Sequence, residues 1–156
     1  MKGSVLDVFV IAVVALVLSI TILVSYTILD RVDDAMPTAG KNATAKGLEA
    51  VQTFDYGFII MVGGLGLAGV IYAYLVPTNP ILIVVSVVML LAATVVTPII
   101  SNAFGTVSTN DQMSAASAQF PVMGSFMENL PVVMTVIGVI ILIAMYIRRG
   151  DGSGSA

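Results

Sequence analysis

Four long apolar segments without a charged residue constrain this chain more than any other feature. They cover residues 8–29, 57–76, 81–100 and 130–147. A bilayer has a hydrocarbon core about 30 Å thick, which a helix of about 20 apolar residues crosses. In that core the backbone N–H and C=O groups must be paired within the segment, as they are in an α-helix. The sequence therefore predicts an all-α fold with four transmembrane helices.

The composition excludes an ordinary soluble domain. The chain is 58% hydrophobic and 10% charged, whereas soluble domains average about 45–50% apolar and about 25% charged residues. It has no cysteine and no histidine, which excludes thiolate nucleophiles, Cys/His zinc sites and His-based catalytic triads. The net charge of −3 offers nothing that attracts the phosphates of nucleic acids. We expect no enzymatic activity, no cofactor, no metal site and no nucleic-acid partner.

The connections between the four segments predict an antiparallel bundle. Residues 76–80 form a very short link, so the second and third helices are expected to pair as a hairpin, with Pro80 in the first turn of the third helix. The longer segments 30–56 and 101–129 are predicted to be outer loops, both on the same side of the membrane. Pro98 is expected to kink or end the third helix.

Charge predicts the orientation of the bundle. The chain ends carry Lys2, Arg148 and Arg149 close to apolar segments, while the outer loops hold their basic residues at a lower density. By the positive-inside rule, both termini are expected on the inner side. Residues 1–150 are thus predicted to form a single four-span membrane domain, followed by a flexible Gly/Ser tail over 151–156. Aromatic residues, which favour the headgroup level, fall near both boundaries: Tyr26, Phe54, Tyr56, Phe104 and Phe126 on the outer side, and Tyr72, Tyr74 and Tyr146 on the inner side.

A glycine-rich stretch in the second segment allows two interpretations. Gly64–Gly69 matches the G-x-G-x-x-G pattern of dinucleotide-binding proteins, but that motif needs a preceding strand and a helix N-terminus that faces a pyrophosphate. Here the pattern lies in the middle of an uncharged span. We interpret it as close helix packing, for which small residues four positions apart are suited. The predicted helix-packing residues are Gly64, Ala68, Gly69 and Ala73.

An apolar stripe with spacings of three and four residues lies in the second predicted outer loop. It predicts a short helix at the membrane interface. Because methionine side chains adapt to irregular partners, the stripe is interpreted as a candidate partner surface formed by Met113, Phe120, Met123 and Met127. The alternative is that the stripe packs against the protein's own bundle.

Few polar residues lie within or beside the four segments. Thr94, Thr97 and Ser101 share a helical face, which would line a narrow pore in an oligomer or, in the alternative, bond to helix backbone. The acidic cluster within residues 30–34 is interpreted as a solvated helix end rather than a cation site. Asn42 begins the pattern Asn-Ala-Thr and is a candidate N-glycosylation site on the predicted outer side.

The start of the fourth segment resembles a known group of proteins. The run Asn-Leu-Pro-Val-Val-Met-Thr-Val-Ile-Gly over residues 129–138 follows a low-charge segment rich in Ser, Ala and Phe. This pattern resembles small multi-span membrane proteins of membrane-containing or spindle-shaped viruses and related mobile elements. The resemblance implies a structural protein of a virion membrane, packed into a homo-oligomeric array that contacts a capsid or coat layer. It assigns no site residues.

Two further functions stay open at the level of sequence. The first is a holin-like or channel-forming membrane oligomer, which a polar stripe facing a shared lumen would support. The second is an accessory subunit of a larger cellular membrane complex, which would copurify with its partners in a fixed ratio. All three hypotheses place the protein in a lipid bilayer, in a virion membrane or a host cell membrane.

Overall fold

The computed structural model describes residues 6–38, 40–75 and 79–151, and these ranges contain helices and no strands. The described helices, in chain order, are α1 (Leu6–Ala35), α2 (Lys41–Leu75), α3 (Pro80–Ser108), α4 (Ser114–Ser117), α5 (Pro121–Glu128) and α6 (Leu130–Asp151). Helices α1, α2, α3 and α6 are long and apolar enough to cross a membrane. The predicted all-α fold is confirmed, as are four helices of spanning length and composition.

The long helices reach well beyond the apolar segments, and helical backbone occupies most of the predicted outer loops over 30–56 and 101–129. Helix α1 has 30 residues and α2 has 35, which correspond to about 45 Å and about 52 Å at 1.5 Å per residue. Charged residues do not interrupt α1 and α2, because a charged side chain extends away from the helix axis and leaves the hydrogen bonds of the helix backbone intact. Helix α1 ends at Ala35, shortly before Pro37, since a proline disfavours helical geometry in the residue that precedes it.

Proline and its neighbours shape α3 at two points. Pro80 stands in the first turn, and the Asn79 side chain accepts a hydrogen bond of 3.2 Å from the Ile81 N–H. The predicted place of Pro80 is therefore confirmed. Pro98 lies inside α3, which continues to Ser108, so Pro98 does not end the helix.

Each long helix contacts others along its length. Helix α1 packs against α2 and α3, and α6 packs against α2 and α3. Helices α2 and α6 run in the same direction where they pack together, since Gly66 lies against Ile137 and Gly69 lies against Ile141. The core between these helices includes apolar side chains that are at most 4% exposed, among them Ile11, Leu23, Phe58, Val62, Met134 and Ile141.

The outward faces of the long helices are as apolar as the core. Within their most hydrophobic stretches, only 22–33% of the residues are buried. Ile60 is 74% exposed, Val95 66% and Val132 63%. Apolar surface of this extent is unfavourable in water, and it is compatible with an integral membrane protein.

Candidate functional site: the helical cap and the packing faces

Helices α4 and α5, which we call the helical cap (residues 114–128), pack against the half of the bundle that contains the C-terminal parts of α1 and α3 and the N-terminal part of α2. Helix α5 contacts all four long helices, and α4 contacts α1 and α3. We call this half of the bundle the capped end. The cap and its neighbours contain most of the polar contacts between distant parts of the chain. This region is therefore the candidate site for chemistry or binding.

The structure corrects the predicted partner surface. Phe120, Met123 and Met127 are 0% exposed, and Met113 is partly buried. These side chains belong to the protein's own core, as the alternative interpretation of the stripe supposed. The physical reason is that α5 packs between the long helices, where burial of large apolar side chains is more favourable than their exposure to water.

Two aromatic contacts join the helical cap to the bundle. The rings of Tyr26 and Phe120 meet edge to face with centroids 5.5 Å apart, and those of Phe58 and Phe126 do so at 5.4 Å. Edge-to-face pairs at these distances have favourable electrostatics between ring edge and ring face. Tyr26 is thus buried against the cap, rather than exposed at a lipid boundary.

Asp55 of α2 holds the start of α5, and this role was not predicted. Its side chain is 4% exposed. One carboxylate oxygen accepts a hydrogen bond of 2.7 Å from the Met123 N–H, and the other accepts one of 3.1 Å from the Val122 N–H. The first N–H groups of a helix have no partner within the helix, and the positive end of the helix dipole favours a negative charge. Asp55 therefore caps a helix that lies 67 residues further along the chain.

Side-chain hydrogen bonds also fasten other parts of the cap. The Ser101 hydroxyl of α3 donates to the Met127 carbonyl at 2.8 Å, near the end of α5. The Gln52 amide donates to the Gln119 side chain at 3.0 Å. With Asp55 at the start of α5, polar groups from α2 and α3 hold both ends of this short helix.

The hydroxyl groups considered for a pore bond to the protein's own backbone. Thr97 is 2% exposed, and its hydroxyl donates to the Ala93 carbonyl at 2.8 Å. The Thr94 hydroxyl donates to the Leu91 carbonyl at 2.7 Å. Together with the Ser101 contact, these bonds match the alternative interpretation, in which the hydroxyls serve helix backbone.

The acidic cluster and the glycosylation pattern meet at the link between α1 and α2. The Thr44 hydroxyl donates to the Asp33 carboxylate, and Thr44 is 7% exposed. Asn42 is exposed in the first turn of α2, and its glycosylation stays a prediction. Among the described residues, no group of three or more acidic side chains is placed to hold a metal ion.

The four predicted packing residues divide between two faces of α2. Gly69 lies against Ile141 of α6, and Ala73 is 2% exposed. Gly64 and Ala68 are exposed, and nothing lies within 4 Å of the position that a Cβ on Gly64 would take. One pair therefore lines a contact within the chain, and the other pair faces outward.

Gly138 of α6 is a close-approach position that was not predicted. A Cβ there would collide with the Leu90 side chain of α3. Because this glycine carries no side chain, the end of the Leu90 side chain packs directly over its backbone. The signal in the sequence was a single glycine in an apolar run, which does not say which helix approaches it.

Replacing Gly138 with valine is expected to lower the free energy of unfolding by about 2 kcal/mol, as overpacking of a dense interior does. The measurement is unfolding by SDS in mixed micelles, followed by circular dichroism. Gly63→Val is the matched control, because Gly63 also lies in a spanning helix and has nothing within 4 Å of a Cβ. Equal losses for both variants would contradict close packing at Gly138.

No known protein family, no curated protein and no solved structure matches this chain.

Proposed function

We propose that the protein is a structural component of a membrane, in which four helices cross the bilayer and copies of the chain pack side by side. One observation carries this proposal. Of the five buried polar residues in the described ranges, the four residues Ser19, Thr44, Asp55 and Thr97 bond through their side chains to other parts of the same chain. Thr44 and Asp55 join different helices, while Ser19 and Thr97 bond within their own helix, so these polar groups serve the fold, as is expected of a structural protein.

The contacts support an antiparallel arrangement of neighbouring helices. Thr44 near the start of α2 bonds to Asp33 near the end of α1. Ser101 in α3 bonds to Met127 just before α6, while Leu90, earlier in α3, lies against Gly138, later in α6. In this arrangement the helical cap is the predicted interfacial helix, and the density of basic residues near the termini favours the inner side for both.

The outward face of α2 supports self-association. Gly64 and Ala68 are exposed and lie among the exposed side chains of Ile60, Leu67 and Ile71. Small residues flanked by large apolar ones allow two membrane helices to approach closely. We therefore propose that Gly64 and Ala68 line a contact between copies of this chain.

The double variant Gly64→Ile/Ala68→Ile is expected to weaken self-association about tenfold, which corresponds to ~1.4 kcal/mol. The added side chains would hold the helices of two copies apart. Energy transfer between labelled copies, measured in liposomes at increasing lipid dilution, gives the dissociation constant. Ala92→Ile on α3 is the control, since Ala92 is also exposed in a spanning helix. An unchanged dissociation constant in the double variant would remove α2 as the interface.

The membrane to which we assign this role is that of a virion, and a capsid or coat layer is the proposed partner. The support is the resemblance of residues 129–138 to small membrane proteins of membrane-containing or spindle-shaped viruses. Mass spectrometry of purified extracellular particles tests it, and we expect the protein among their abundant components. Particles that lack the protein would refute the virion assignment while leaving the membrane scaffold in place.

A liposome assay separates the scaffold from a pore. A scaffold predicts no ion flux from the purified protein. Flux that is abolished by Thr97→Leu would replace the structural proposal with a channel whose lumen includes Thr97. Flux that persists in this variant would place a channel elsewhere in the bundle.

A further inference from the structure

The contacts between α1 and α2 set the level of their residues along the bundle. The Leu29 side chain lies against Gly47. The Thr44 hydroxyl, one turn earlier in α2, donates to the Asp33 carboxylate, one turn later in α1. Residue numbers thus rise on one helix as they fall on the other. Followed from Gly47 to residue 56 of α2, this register reaches residue 20 of α1.

Helix α5 lies at the same level on α2 and on α3. The Asp55 carboxylate of α2 accepts hydrogen bonds from the start of α5, and the Phe58 ring of α2 meets the Phe126 ring of α5. The Ser101 hydroxyl of α3 donates to the Met127 carbonyl, near the end of α5. Helix α5 therefore lies beside residues 55–58 of α2 and beside residue 101 of α3.

The exposed side chains of α2 and α3 change character at this level. Toward the link between α1 and α2, the exposed residues of α2 before Tyr56 are polar, charged or alanine, apart from Phe54. The exposed residues of α3 after Ile99 are polar or alanine. In the other direction, all exposed residues over 59–71 of α2 and over 81–99 of α3 are apolar or glycine. Tyr56 itself is 70% exposed, and tyrosine favours the headgroup level of a bilayer.

Helix α1 changes at the same level, although its apolar segment continues to Leu29. Before residue 20, Val13 and Val17 are exposed, and over residues 20–27 only Thr21 is exposed. Tyr26 is buried and meets Phe120 edge to face. The second half of this apolar segment thus packs against the protein's own helices, and its hydrophobicity is explained by the core that it forms.

A bilayer boundary at the end of the first apolar segment is unfavourable. Leu29 lies level with Gly47, so a hydrocarbon core that reached Leu29 would surround the exposed residues Glu49 of α2 and Glu128 of α5. Charged side chains within the hydrocarbon of a bilayer are costly. A boundary at Tyr56 leaves Glu49 in water and Glu128 at the headgroup level.

We propose that the hydrocarbon core of the bilayer ends at the level of Tyr56, and that residues 20–35 of α1 and 41–55 of α2 form a hairpin outside it. We call these residues the projecting hairpin. Each of its helices extends about 22 Å beyond the boundary, at 1.5 Å per residue. The proposal rests on the membrane insertion in the proposed function, but it does not depend on self-association or on a virion. The lipid-facing surface is then the apolar belt over 59–71 of α2 and 81–99 of α3.

Single cysteines test the boundary on α2, because the chain contains no cysteine of its own. Thr53→Cys and Met61→Cys place thiols at exposed positions about 12 Å apart, on opposite sides of the boundary. The full chain is placed in phosphatidylcholine liposomes with a charged, membrane-impermeant maleimide on both sides, so that orientation does not matter. We expect Thr53→Cys to react about a hundredfold faster, because hydrocarbon excludes a charged reagent. Equal rates at the two positions would overturn the proposal.

A matched pair on α1 tests the hairpin itself. Ile28 and Val13 belong to the same apolar segment and are 57% and 48% exposed. We expect Ile28→Cys to react as fast as Thr53→Cys, and Val13→Cys to react as slowly as Met61→Cys. If Ile28→Cys and Val13→Cys both react slowly, the whole segment lies in lipid and the projecting hairpin is refuted.

Two controls separate this proposal from the membrane role on which it rests. In SDS all four thiols should react at similar rates, and circular dichroism should show unchanged helical content. Fast reaction at Met61→Cys and Val13→Cys, or a protein that does not float with the liposomes, would overturn the membrane role as well. Slow reaction at Thr53→Cys and Ile28→Cys in a protein that floats would overturn the boundary alone.

Discussion

Phe120→Ala is expected to lower the free energy of unfolding by about 4 kcal/mol, the range found when a large aromatic residue in a core is truncated. Phe120 is 0% exposed and meets Tyr26 edge to face. The substitution removes that contact and leaves a cavity beneath the helical cap. Because Phe120 immediately precedes α5, the loss should also loosen the docking of this helix.

The measurement is unfolding by SDS in mixed micelles, with circular dichroism as the signal. Phe54→Ala is the matched control, since Phe54 is also a phenylalanine near the capped end but is 55% exposed. We expect its loss to be below about 1 kcal/mol, because little buried area disappears. Similar losses for the two variants would mean that Phe120 does not anchor the cap.

Asp55→Ala is expected to lower the free energy of unfolding by about 3 kcal/mol, since hydrogen bonds to a charged group contribute about 1.5–3 kcal/mol each and coupling reduces their sum. The variant leaves the N–H groups of Val122 and Met123 without their carboxylate partner. We expect the region around α5 to exchange its amide hydrogens faster, because this helix loses the carboxylate that caps its N-terminus.

Two control variants separate this role from a general effect of charge. Asp55→Asn keeps one oxygen that accepts a hydrogen bond, so its loss should lie between that of Asp55→Ala and zero. Asp111→Ala removes an exposed aspartate and should leave stability nearly unchanged. If Asp55→Ala were as stable as the unchanged protein, the capping of the α5 N-terminus by Asp55 would not contribute to stability.

The two substitutions are not independent of each other. Phe120 and the Asp55 hydrogen bonds both act on the first turn of α5, within three residues of chain. Residues that share one docking element usually show non-additive effects. The double variant should therefore lose less stability than the sum of the single variants.

Local features of the sequence were sufficient to predict the four spanning helices. Uncharged apolar segments of bilayer length identify them without reference to any neighbour. The same local reasoning was sufficient to predict that Pro80 stands in the first turn of α3, where the missing N–H of a proline costs no hydrogen bond. It did not give the length of α1 and α2, which continue through most of 30–56, where apolar residues are few but lysine, glutamate and alanine are good helix formers.

Sequence periodicity found the stripe from Met113 to Met127 but not the surface that covers it. A stripe at helical spacing has the same pattern whether a partner or the protein's own bundle lies against it. Only the tertiary structure decided this question, because it packs α5 against α1, α2 and α3. Asp55 was equally ambiguous, since a lone acidic residue at a span boundary does not indicate which distant N–H groups it meets.

The sequence by itself thus determined that this chain forms four apolar helices of membrane-spanning length and that its polar residues lie mainly between them. The physical reason is that backbone pairing and hydrophobic length are properties of each segment alone. The tertiary structure alone decided that the methionine stripe is core, that Asp55 caps α5, and that Gly64 faces outward while Gly69 lies against Ile141. These outcomes depend on which segments meet, and contacts between residues far apart in the chain are not encoded in any single segment.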